Sequence, residues 1–458
     1  MHQLHNLEPS TVDYAAEYLS SILPGLESLS LNFGKLEKKE QFLKLIHLGA
    51  PDLDASRYTT ITSLRLISTV IPETAVTGLT NFIASLSNLA ILRLHDCELS
   101  EQDLAHVITA APSATIRVLD LAHCSVGSSS GRAMGGLLRN SATVRELRLV
   151  DLHEERSMIT LSFWQLFLDS LAFNRSLETL HIAQVPLGHN IIIQIGTALA
   201  SHPTLRRLVM DGCFHWSGYY GSFALQYMWE KLALRQAQGH ALEEIHFLDC
   251  LWLPTTIPDL CSFFTSPIPG LKILRLSLKS SNTHLETVTQ LLTALPLATY
   301  TLAEFALTRS SLTHDMLTLL FESISDGRLV HRILRAPPSP SPDNLRDRAF
   351  PTFRLDLSGN PLLSDITTQC LISAWDDFTA LPHPPDIADI PARDRVARFI
   401  VDLSGATLSD AARKGVRDLN GRNGMADVGL LVVAGADDGV GKSGGVGWKG
   451  RSDGFDEM

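Results

Sequence analysis

One short string recurs along most of this chain and limits what it can become: an apolar residue, two variable residues, then apolar-x-apolar. It runs Leu26-x-x-Leu29-x-Leu31, Ile61-x-x-Leu64-x-Leu66, Leu89-x-x-Leu92-x-Leu94, Ile116-x-x-Leu119-x-Leu121 and Val144-x-x-Leu147-x-Leu149. It continues as Leu177-x-x-Leu180-x-Ile182, Leu205-x-x-Leu208-x-Met210, Leu242-x-x-Ile245-x-Phe247, Leu271-x-x-Leu274-x-Leu276 and Leu302-x-x-Phe305-x-Leu307. Two late copies, Leu355-x-Leu357 and Val401-x-Leu403, lack the first apolar residue. The closing residues of successive strings often lie close to 28 apart (94 − 66 = 28; 121 − 94 = 27; 149 − 121 = 28). Other intervals are longer (182 − 149 = 33; 247 − 210 = 37; 357 − 307 = 50; 403 − 357 = 46). The apolar-x-apolar end alternates with period two, as a short strand with one buried face must. The rest of each unit carries helical patterning, clearest at 162–173, 190–200, 219–236, 285–295 and 313–324. Ser100 is an N-cap candidate for another such helix, with Asp103 three residues on as an imperfect capping box. A unit this small cannot bury its own leucines, so neighbours must stack.

Three residues after the final apolar position of a unit stand Cys97, Cys124, Cys213, Cys250 and Asn360, with Leu99, Val126 and Leu362 two further on. The period, the string and this Asn/Cys position together resemble the ribonuclease-inhibitor-like subclass of leucine-rich repeats, over roughly residues 26–410. The resemblance implies an α/β solenoid, a horseshoe of about twelve units with parallel strands on the concave face and helices on the convex face. The cysteines at the Asn/Cys position are read as inward side chains that tie the loop between units, since a buried Cys behaves as a small hydrophobe with a weak donor. Cys370 falls on a helix face.

The pattern breaks at both ends and twice within. Residues 1–25 carry an amphipathic stripe (Val12, Tyr14, Ala15, Tyr18, Leu19, Ile22) ended by Pro24-Gly25, and are expected to form a helical cap. The main solenoid is then 26–334. A Pro/Ser-rich loop spans 335–352, with Ser339-Pro340 and Ser341-Pro342 as candidate sites for proline-directed kinases. Two divergent repeats occupy 353–420 around a second Pro-rich insertion at 381–394, which leaves room for them to sit apart from the main stack. From 421 to 458 the chain turns Gly- and Asp-rich and is expected to be a mobile tail, apart from the apolar run at 430–433. Lys35, Lys38, Lys39 and Lys44 read as a solvated helix face.

Composition narrows function. Lys and Arg total 38 against 49 Asp and Glu, a net charge of −11, which argues against a phosphate-neutralising nucleic-acid binder. Six Cys in 458 residues do not make a disulfide framework. No apolar run is long enough to span a membrane, and the start MHQLHNLEPS lacks the basic then apolar order of a secretory signal. A cytoplasmic compartment, or a nuclear one, is therefore expected. In the tail, Ala436 through Gly441-Lys442-Ser443 fits a relaxed phosphate-loop pattern, but Ala replaces the first Gly and glycines crowd the residues after Ser443. With no helix to follow, it reads as a chance match. His95-Asp96-Cys97 and His123-Cys124 bring metal-ligand types onto adjacent strands, yet the Cys should point inward while the His point out, so no metal is assigned. No catalytic constellation and no cofactor motif is visible.

Function is therefore sought on the concave face. The middle strand positions read Ser30, Arg65, Arg93, Asp120, Arg148, His181, Val209, His246, Arg275, Ala306, Asp356 and Asp402. The next outward positions include Ile67, His95, Ala122 and Asp211. Candidate contacts are Arg65, Arg93, His95, Asp120, Arg148, His181, Asp211, His246 and Arg275. Arg65, Arg93 and Arg148 form a basic strip suited to an acidic partner surface. The plainer alternative is a ladder of solvated side chains paired across strands. The expected role is a non-enzymatic scaffold for a partner protein. A GTPase-activating protein similar to the Ran regulator is an alternative, although that family's Arg- and Asn-bearing loop finds no residue-by-residue match here. An enzyme inhibitor that plugs an active site with its concave face is another. A third is the sensor part of an immune-type receptor, although no nucleotide-binding domain precedes the repeats here.

Overall fold

The computed structural model describes residues 2–5, 26–32, 60–68, 71, 73–152, 161–214, 219–240, 242–250, 257–264, 271–277, 285–294, 304–308, 310, 312–325, 352–360, 363–380, 397–404, 408–422 and 428–434. The strands are β1 (His2–His5), β2 (Ser28–Asn32), β3 (Ser63–Ile67), β4 (Ile91–His95), β5 (Val118–Ala122), β6 (Glu146–Val150) and β7 (Thr179–Ala183). They continue as β8 (Arg207–Asp211), β9 (Glu244–Phe247), β10 (Ile273–Leu276), β11 (Glu304–Leu307), β12 (Thr352–Asp356), β13 (Ala397–Leu403) and β14 (Val428–Ala434). Between them run α1 (Glu73–Ser85), α2 (Glu101–Ala110), α3 (Ser128–Asn140), α4 (Leu161–Leu171), α5 (His189–Ala200) and α6 (Tyr219–Ala237). The later helices are α7 (Ile257–Phe264), α8 (Leu285–Ala294), α9 (His314–Ser325), α10 (Asp365–Ala380) and α11 (Asp410–Arg422).

All these strands form one parallel sheet in chain order. The leucines explain the register. Leu64, Leu92, Leu119, Leu147, Leu180 and Leu208 stand opposite one another on successive strands, and each is at most 1% exposed. Leu94, Leu121 and Leu149 form a second buried row two residues on. A slip of one residue would turn both rows into water, so the repeat string itself fixes the pairing. Each helix packs against the next, on the side of the sheet that these leucines face. Strands stack at about 4.8 Å while helices need about 8–10 Å, so the array bends with the sheet inside. This is a leucine-rich-repeat α/β solenoid.

Where the turn is described, the chain leaves its strand through a left-handed residue in eight units: Ser68, Asp96, His123, Asp151, Gln184, Gly212, Asp249 and Gly359 all have positive φ. Short polar side chains and glycine tolerate that region best. The turn amide is not wasted. Asp96 N–H donates to Ala122 O at 2.8 Å, His123 to Val150 O at 2.9 Å, and Asp151 to Ala183 O at 2.8 Å. The next polar position points inward, as read from the sequence. Cys124 Sγ donates to Leu94 O at 3.3 Å, Cys213 to Ile182 O at 3.3 Å and Cys250 to Met210 O at 3.1 Å. Asn360 Nδ2 does the same to Leu307 O at 2.8 Å. The side-chain bonds tie each turn to the preceding unit, while the turn amides reach forward to the next.

The longer units are filled by aromatics. Phe163 and Trp164 on α4 meet edge to face at 5.2 Å, and Trp229 on α6 meets Phe247 on β9 at 5.3 Å. The capping role of Ser100 holds: its Oγ accepts from Asp103 N at 3.2 Å. Three findings depart from the repeat strings. β1 lies within the segment expected as a helical cap and pairs with β2. β14 lies within the expected tail and pairs with β13 along its whole length. The two late repeats do not stand apart, because β12 pairs with β11 and β13 with β12. The stripe at 12–22, the Lys run at 35–44, the Ser-Pro sites, the Pro-rich insertions and the phosphate-loop-like run at 436–443 lie outside the described residues.

Candidate functional site: the concave sheet face

Alternation along β2–β12 sends the first and third residues, and the fifth where there is one, away from the helices. The register aligns the middle positions into one continuous row, from Ser30 opposite Arg65, through Arg65–Arg93–Asp120–Arg148–His181, to Asp356 opposite Asp402. His95 sits beside Ile67 in the next row, and Asp211 beside Ala183.

The basic strip is largely neutralised within the sheet. Asp120, only 7% exposed, takes Arg93 Nε at 3.7 Å and His95 Nε2 at 3.1 Å. Its carboxyl is held below the usual carboxylate range: burial opposes this, but the His95 bond and charge and the nearby Arg148 and Arg93 outweigh it. Arg148 Nε pairs with Glu146, two residues back on its own strand. Arg275 Nε meets Glu304 Oε1 at 2.7 Å, and Arg207 Nε meets Glu244 Oε2 at 3.1 Å. Arg354 pairs with Asp402 and approaches Asp356 at 4.0 Å.

Most of these pairs include a residue of a third concave row that the sequence reading passed over: Ile91, Val118, Glu146, Thr179, Arg207, Glu244, Ile273, Glu304 and Arg354. The signal was present, since a residue two before Arg148 must share its face.

Arg65 differs. It stands directly opposite Arg93, has no ion pair among the described residues, and its buried Nε lacks a hydrogen-bond partner. On one side of the pair stand Ser63 and half-buried Ile91, and on the other half-buried Ile67 and His95. Burial pulls the Arg93 guanidinium below its ordinary value, and Arg148 and Arg65 add to the effect against Asp120.

The remaining candidates form the middle of the face. His246 has a side chain only 5% exposed, and burial with Arg275, Arg207 and His181 nearby pushes it down to about 2. It is a neutral floor residue at any physiological pH. His181 is half-buried two strands away, across Val209. Asp211 turns along the sheet, where its Oδ1 accepts from Leu248 N at 2.7 Å. Burial pushes its carboxyl up to about 6, helped by Asp249 and opposed by the Leu248 bond.

Among the described residues no group of three or more His, Cys, Asp or Glu is placed to hold a metal ion. His95 engages Asp120 while His123 Nδ1 engages Asp151 at 2.8 Å, and the neighbouring thiols face carbonyls. No described helix is long and apolar enough to cross a membrane. What this face offers chemically is preorganised charge on a rigid curved sheet.

No family model matches the chain, and no curated protein matches it in sequence. Among solved structures, the leucine-rich-repeat protein LegL7 of Legionella pneumophila is similar over 70% of this chain and 87% of its own, at 19% identity and a TM-score of 0.36. TLR13, solved as a complex with ssRNA13, is similar over 95% of this chain at 12% identity and a TM-score of 0.37, and this chain spans 55% of its length. The fold assignment rests on the strand register and the repeat, not on these overlays.

Proposed function

We propose that this leucine-rich-repeat solenoid is a non-enzymatic interaction scaffold, and that a partner protein docks on the concave face over β3–β6. The observation that carries the reading is Arg65, a half-buried guanidinium without a counter-ion among the described residues, set against Arg93 with Ile91 and Ile67 on either side. Two like charges facing each other cost free energy in the free protein. A partner carboxylate placed between them removes that cost, and arginine offers it two parallel donors. The apolar rim suits an interface core, where arginine is enriched beside excluded water. Arg65, Arg93 and His95 are the contact residues in this reading. Asp120 and Arg148 fix their geometry, while His181, Asp211, His246 and Arg275 lie on β7–β10, beyond this strip, and are not its anchors. Six free cysteines, four of them buried against carbonyls, fit a reducing compartment such as the cytoplasm.

A photo-crosslinking residue at position 67 should capture the partner in cells. With that partner purified, Arg65→Glu should weaken binding by tenfold or more, about 1.4 kcal/mol, with the fold unchanged. Equal affinity of Arg65→Glu and the natural chain would refute docking at this strip.

A further inference from the structure

We infer that the groove between α2 and α3, on the helical side of the solenoid, is a second docking site, and that it takes an acidic peptide segment of a partner protein with an apolar side chain laid over Gly136. The groove encloses about 400 Å³, within the range of real ligand pockets and well matched to one bulky side chain with adjoining backbone. It stands independently of the concave face.

Its shape comes from α3. Two glycines of that helix have packing reasons. A Cβ on Gly131 would lie 2.9 Å from the Phe163 backbone, and one on Gly135 would lie 2.5 Å from Ser170 Oγ and 3.0 Å from Leu166 O, so both allow close approach of α4. Gly136 has no such reason, because a Cβ there would meet nothing within 4 Å. Glycine inside a helix costs about 1 kcal/mol relative to alanine. At Gly136 that cost returns no helix packing; what it preserves is the open floor of the groove, between Ile108 and Ala133.

Its charge is one-sided. Arg132 and His106 are the ionisable residues of the lining, both exposed, and no carboxylate is among the lining residues. The acids of the adjoining first turn of α2 are already engaged at helix ends. Glu101 accepts from Ser129 N at the start of α3, and Asp103 accepts from Ser100 Oγ at 2.6 Å. On a chain of net charge −11, a groove whose lining carries the Arg132 guanidinium and no carboxylate, floored by aliphatic carbon, is complementary to a carboxylate beside an apolar side chain.

The test is a displayed library of random short peptides, selected against the full chain. Selected peptides should be enriched in Asp or Glu next to Leu, Met or Phe. Their affinity should fall about tenfold or more both on Gly136→Leu, which fills the groove, and on Arg132→Glu, which reverses its rim charge. Arg65→Glu on the opposite face should leave them unchanged, which separates this site from the concave strip. The Gly136→Leu chain should melt at or above the natural temperature, since the new side chain enters open space, and Arg132→Glu changes only an exposed residue. No enrichment, enrichment of basic peptides, or full affinity retained on either groove variant would overturn the proposal.

Discussion

Asp211 illustrates what a concave position asks of a single side chain. Its carboxylate serves the Leu248 amide, yet burial raises it to about 6, against about 4 in an unfolded chain. The folded state therefore binds a proton more tightly than the unfolded state between those values. Stability falls as pH rises through that window, and at neutral pH the ionised group carries the whole penalty. Asp211→Asn keeps an oxygen for Leu248 and removes the charge. It should raise stability at pH 7 by about 1–3 kcal/mol, and the gain should shrink toward zero near pH 4. Denaturant midpoints across that range check it; a gain that grows on acidification would show the sign to be wrong.

At the scale of the element, α6 is the unusual helix. It is the longest of the described helices, and it serves one of the longer intervals between strings (247 − 210 = 37). Its last turn turns a cation inward. Arg235 is buried, donates from Nε to His202 O at 2.8 Å, and reaches Leu205 O with a second nitrogen. Burial lowers it to about 10, so it stays charged at neutral pH. His202 is pushed down to about 4, chiefly by burial and then by Arg235, and accepts from Leu205 N as the neutral ring. One side chain thus pins the loop into β8 to the helix that follows. Arg235→Leu should keep the packing volume but strand both carbonyls, a loss of about 2–3 kcal/mol. A denaturant midpoint equal to that of the natural chain would mean the two bonds contribute nothing net.

Over the whole molecule, each unit touches mainly its neighbours, so stability is a sum of unit terms and interfaces between adjacent units. Damage should stay local. Leu92 is fully buried on β4, and Leu92→Asp places an unpaired charge in the shared core. Amide protection should be lost across β3–β5 and largely kept in β10–β13, as read by hydrogen exchange. Uniform loss along the chain would show a single cooperative core. Charge is organised on the same scale. The concave face is a lattice of pairs, and Arg65 stands outside it near its N-terminal end. A triple change of Arg65, Arg93 and Arg148 to Glu would therefore confuse docking with the loss of the Arg148–Glu146 and Arg93–Asp120 pairs, which is why Arg65 alone is the informative substitution.

The chain's periodicity was sufficient to settle the strand positions, their parallel register, the buried leucine rows and the inward Cys and Asn ties, because all of these follow from local alternation repeated at near-constant spacing. Even the overlooked row of Glu146, Glu244 and Glu304 was available to the same period-two logic. Other features had no one-dimensional trace. The Ser- and Gly-rich start of α3 hides a helix that only its neighbours stabilise, and the strands β1 and β14 exist because an adjacent edge supplies their hydrogen bonds. Which arginine keeps its charge unmatched, and which glycine faces open space instead of a neighbouring helix, depend on distances between units. Those distances are decided by how helices and strands of unequal width bend around a common core, and side chains about 28 residues apart in the chain meet only after that bending.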